Sequence, residues 1–142
     1  MGDLSPTETL TAQSQMAVGT NASAGFVITA LGAPLSAGTT TIPSLLTPTQ
    51  SNPGVNQFGI NLVANSNPGI GLDPEGVWAN ATTAPDYGQA DRYKFIDGDI
   101  VASSPNVSLM KKFTVSYIVN VSPSLKAGVY TTTINFVASG RF

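Results

Sequence analysis

The chain has 142 residues, about one domain's worth, of which 42% are hydrophobic and 10% charged, with a formal net charge of −2; a chain of this length buries enough surface to hold a core of its own. So low a net charge, with ample Val, Ile, Leu and Phe, argues against disorder, and the acidic balance argues against a nucleic-acid-binding face. Cys and His are absent, which removes disulfides, thiolate and His-based catalysis, and zinc sites of the usual kind.

In chain order, the period-two signal of a half-buried strand first appears at residues 7–16, where Leu10, Ala12, Ser14 and Met16 alternate with Thr and Gln. Residues 25–31 read as a buried strand, with Phe26 and Ile28 facing one way. A long connection, 32–56, holds Pro43, Pro48 and Pro53 around a short strand at 39–42. Residues 57–64 place Phe58, Ile60, Leu62 and Ala64 together. A second long connection, 65–90, carries Pro68, Pro74, Pro85 and Trp78; long ordered loops are where function often sits.

The next two strands, 93–96 and 99–103, flank Asp97-Gly98 and read as a hairpin. Residues 111–121 alternate most cleanly, with Phe113, Val115, Tyr117, Val119 and Val121 on one face and Ile118 as the exception on the other. Residues 128–138 place Tyr130, Ile134, Phe136 and Ala138 on one face. Helical spacing is nearly absent. The expected fold is all-β: one domain, residues 1–142, folded as a single antiparallel Greek-key β-sandwich of about seven strands with long Pro- and Gly-rich loops.

Forty residues are Ser, Thr or Asn, whereas six are basic and eight acidic. Polarity carried by neutral groups fits an exported, surface-displayed β-protein. No apolar run reaches the roughly 18 residues of a membrane-spanning helix, so no membrane span is expected. The start, Met1-Gly2-Asp3-Leu4, does not read as a signal peptide; an exported protein would here lack its leader. No basic residue precedes Arg92, while the segment before it holds Asp3, Glu8, Asp73, Glu75, Asp86 and Asp91. Interleaved halves would cancel these charges locally; segregated ones would favour head-to-tail association.

The candidate sites each have two readings. Trp78, Tyr87 and Tyr93, with Phe95 beside them in sequence, suit a sugar platform, since aromatic faces with neutral polar partners take carbohydrate; the preferred reading is that the same residues plug the open end of the core. Asp97 and Asp99 around Gly98 are the nearest approach to a calcium site, short of the six to eight oxygens calcium takes, and also read as a solvated turn. Tyr130, in Ala127-Gly128-Val129-Tyr130, suits a structural corner whose hydroxyl bonds backbone across an arch. Lys94 or Lys112 with Asn135 is an imaginable internal crosslink. No residue set supports catalysis, and no cofactor is expected.

Five stretches together carry a resemblance: TNASAGFVIT at 20–29, QFGINLVAN at 57–65, YKFIDGDIVASS at 93–104, FTVSYIVN at 113–120 and AGVYTTT at 127–133. The chain resembles uncharacterised predicted cell-surface β-sandwich proteins of candidate-phyla, Saccharibacteria-like bacteria. The final Gly-x-Tyr strand is also similar to that of secreted pilin and spore-coat-like modules. The resemblance implies export and display at the cell surface, in a filament or coat, and brings no catalytic residues with it. The expected function is a non-catalytic structural or adhesive module that associates with itself, with another surface protein or with glycan; the alternative is a carbohydrate-binding module. One route to assembly is strand addition, in which residues 1–16 complete the sheet edge of a neighbour.

Overall fold

Stretches that alternate apolar and polar residues bury one face only by pairing edge to edge and stacking, and this chain does so throughout. The computed structural model describes all 142 residues. It contains nine strands: β1 (Leu10–Thr20), β2 (Phe26–Gly32), β3 (Leu35–Ala37), β4 (Thr40–Ile42), β5 (Gln57–Asn61), β6 (Thr82–Thr83), β7 (Ile100–Ser104), β8 (Ser108–Asn120) and β9 (Ile134–Gly140). The one helical turn is the 3-10 segment Pro85–Tyr87. The expected all-β class holds. The strands not expected from the sequence are short, β3 (Leu35–Ala37), paired with β4, and the two residues of β6, while the expected strand at 93–96 forms only bridges.

One sheet has the order β1-β8-β5 and the other β6-β7-β2-β9, with β3 paired to β4 alongside. All named pairings are antiparallel. The chain changes sheet between β1 and β2, between β5 and β6, between β7 and β8, and between β8 and β9, so strands adjacent in sequence pack across the core. Phe26 and Ile28 of β2, Phe58 and Ile60 of β5, Val101 of β7, and Phe113, Val115 and Val119 of β8 fill it. Each such side chain stabilises the fold by about 1.5–3 kcal/mol relative to exposure.

β8 is buried on both faces, which explains why Ile118 breaks its alternation. The long connections fold over its outer face and cover Thr114, Ser116, Ile118 and Asn120. Glu75 exchanges both backbone hydrogen bonds with Lys112. Gly71, at φ +88°, lies so close to Ser116 Oγ that a Cβ would collide with it. Asn120 Nδ2 donates to Ser51 Oγ and to Gln57 Oε1, each at 2.9 Å. The two proline-rich stretches are therefore an ordered outer layer.

Several boundaries depart from expectation for physical reasons. β1 begins at Leu10 and runs on to Thr20, because Met16 and Val18 find partners in Phe113 and Lys111. The final strand begins only at Ile134; before it, Thr131 makes a single bridge to Ser36. Residues 93–103 form no hairpin. Asp97-Gly98 is a turn, closed by Asp99 N–H on Ile96 O at 3.2 Å with Gly98 at φ +87°, and it carries the chain from one sheet to the other. Tyr93 and Lys94 bridge Thr49 and Ile60, whereas β7 pairs with β2 and β6.

Candidate functional site

The two long sides of the sandwich differ. On one, the Ile60–Lys94 bridge extends the sheet beyond β5, and a charged cluster closes the gap. Lys94 Nζ lies 2.8 Å from Asp86 Oδ2 and 2.9 Å from Asp99 Oδ2, with its side chain only 11% exposed. Tyr87 OH donates to the same Asp99 oxygen at 2.9 Å, and the ammonium stands 5.4 Å from the Tyr87 ring centroid. Burial alone would lower the Lys94 pKa, but hydrogen bonds to Asp86 and Asp99 outweigh it and hold the ammonium above its ordinary range. Burial, then the bond to Asp99, pushes the Tyr87 phenol up. Both groups thus keep their protons at neutral pH, and the cluster is an ion-paired latch.

The opposite side, between β1 and β9, is open. Each is the terminal strand of its sheet. Leu10, Met16 and Val18 of β1 and Ile134 and Phe136 of β9 pack against the core yet remain only partly buried. At the pole where β1 begins, this rim widens into an open groove of about 1020 Å³. Its walls include Leu10, Tyr117, Val119, Leu125, Val129 and Ile134, and the segment Met1 to Leu4 lies along it. Neither β1 nor β9 contains a charged residue or a proline, the devices by which edge strands usually avoid pairing with other chains.

The other pole carries an apolar tip. Val77 and Trp78 are 78% and 87% exposed, and Leu109 and Met110 beside them on β8 are also exposed. Gly76 to Ala79 form a tight turn, closed by a 3.5 Å backbone bond, with Trp78 at φ 58°. A bulky residue in the left-handed region costs on the order of 1–3 kcal/mol. The turn is held from both flanks. Gly76 sits so close to β8 that a Cβ would lie 2.5 Å from Met110 O. On the other flank Asn80 N–H donates to Ser108 Oγ at 3.3 Å, and Asn80 Nδ2 donates to Asn106 Oδ1 and Val107 O.

The aromatic residues do not form a platform. Tyr87 is 1% exposed and Tyr93 0%, and Phe95 is likewise buried; they lie inside the fold, and Trp78 alone presents its ring. Asp97 and Asp99 do not converge on a calcium position. Asp97 Oδ1 accepts from Gly32 N–H at 2.9 Å, and the space beside Asp99 Oδ2 is held by the Lys94 ammonium, a like charge to any metal ion. Lys94 is committed to Asp86 and Asp99, and Lys112 to Glu75 at 2.5 Å, so neither faces Asn135. Tyr130 OH donates to Lys126 O at 2.6 Å, spanning the arch before β9.

The groove was not singled out from sequence, although the uncharged, proline-free runs of β1 and β9 were its readable trace. No helix is long and apolar enough to cross a membrane. No protein-family model, curated protein or solved structure matches this chain.

Proposed function

We propose that this protein is a non-catalytic structural module, displayed at a cell surface, whose copies associate through the open rim between β1 and β9. The observation that carries this reading is the apolar groove of about 1020 Å³ flanked by two edge strands free of charge and proline. Most soluble domains protect such edges; leaving two without charge or proline beside half-buried core residues suits a subunit that meets another chain there.

Surface display is supported by the neutral polarity of the chain and by its resemblance to predicted bacterial surface proteins. The groove is lined mainly by apolar side chains, with Asp3 and Lys126 its only ionised ones, a composition suited to packing. Donation of residues 1–16 to a neighbour is not the favoured route, because β1 pairs with β8 from Leu10 to Thr20 within its own sheet. Carbohydrate recognition loses support as Tyr87 and Tyr93 are interior.

Electron microscopy of concentrated protein tests the reading. Short linear arrays are expected; uniformly dispersed single particles at every concentration would overturn it.

A further inference from the structure

We infer that the occupant of the groove is the Val77–Trp78 tip of a second copy, so that subunits join pole to pole. This rests on the proposed self-association and specifies its contact.

The groove lies where β1 starts and β8 ends, at the Leu10–Val119 pair. The tip lies where β8 starts, beside Ser108 and Met110. The 13 residues of β8 separate them by about 40 Å at roughly 3.3 Å per residue. A knob and a hole at opposite ends of one molecule form a heterologous contact, which propagates as an open chain of subunits rather than a closed dimer.

Charge separates the same way. Lys111, Lys112 and Arg141 stand toward the tip pole, with Glu75 paired to Lys112 and Asp73 two residues before it. At the groove pole stand Asp3, Glu8 and Asp97, with Asp86 and Asp99 sharing Lys94, against Lys126. The basic pole of one copy therefore faces the acidic pole of the next, which favours this orientation over tip-to-tip or groove-to-groove encounters. Trp78 has the character of an interface anchor, a large rigid side chain with little rotamer freedom to lose, held outward by a turn that disfavours it.

Trp78 is the only tryptophan, so intrinsic fluorescence reads the contact directly. The full chain is titrated in concentration while emission and mass are followed together. Emission is expected to shift to shorter wavelength as mass rises. Trp78→Ala is expected to weaken association by at least about tenfold. Val129→Arg, at an exposed position of the groove wall, is expected to block it from the other side. Mixing the two variants leaves one intact tip and one intact groove, and is expected to restore a one-to-one dimer. If the wild-type protein associates without an emission shift, or Trp78→Ala associates unchanged, the tip contact is overturned while self-association stands. A wild-type chain that stays monomeric overturns both. A monomer whose emission shifts only on addition of glycans assigns Trp78 to carbohydrate and overturns the contact.

Discussion

Gly59 and Tyr93 lie against each other: a Cβ added at Gly59 would sit 2.9 Å from the Tyr93 Cβ. Gly59 is paired with Ile118 of β8, so its missing side chain leaves space on the outer face that Tyr93 covers. This packing seats the Tyr93–Lys94 segment beside β5 and closes that side of the sandwich. Gly59→Ala is therefore expected to destabilise the fold by about 1–3 kcal/mol through overpacking, read as a lower urea midpoint. Tyr93→Phe should change stability by less than about 1 kcal/mol, since the buried hydroxyl has no partner in the protein.

The latch on the closed side should be sensitive to loss of its cation. Lys94→Met removes the partner of Asp86 and Asp99 and is expected to cost roughly 1.5–3 kcal/mol, the range for hydrogen bonds to charged groups. The pKa of Lys94 is raised on folding, so its contribution is complete below the ordinary value of 10.5 and is lost as pH climbs through the higher folded value. Denaturation midpoints of wild type and variant should converge above that point and stay apart at pH 7.

Strong acid should loosen the loop anchored by Asp91. Its carboxylate accepts from Asn67 N–H, the Ser66 hydroxyl and Ser66 N–H, in that order of effect, and is held below its ordinary value of 3.8. A carboxyl lowered by folding stabilises the native chain above the unfolded pKa, and that contribution drains away as pH falls through the folded one. Asp91→Ala should therefore reduce stability at pH 7, and the difference from wild type should shrink below pH 3.8. A gap that persists unchanged into strong acid would show that Asp91 acts through packing.

The strained tip gives a prediction of opposite sign. Trp78→Gly places the residue that tolerates a positive φ at 58° and should stabilise the isolated subunit by about 1 kcal/mol. It should also abolish association. A gain in stability with a loss of assembly is the signature of a residue kept for contact rather than for folding.

The sandwich was legible because periodicity reports one-sided burial, and β8 is the clearest case. Its Ile118 is where that logic stops: burial there comes from loops folded over the outer face, which no local pattern encodes. Asp97-Gly98 was rightly read as a turn but wrongly as a hairpin, since a turn fixes local direction and tertiary pairing decides the sheet. Tyr87 and Tyr93 could be read as ligand contacts or as a core plug, because aromatic residues in a loop-rich stretch carry no mark of which way they face; they are interior. The groove arises from the order β1-β8-β5 stacked on β6-β7-β2-β9, a property of topology that single-strand alternation does not contain.

Sedimentation velocity over a wide concentration range tests self-association most directly. The expected result is a series of growing species above the 14.6 kDa subunit, with no preferred closed oligomer. One sharp boundary at the subunit mass, unmoved up to the highest concentration, would contradict it.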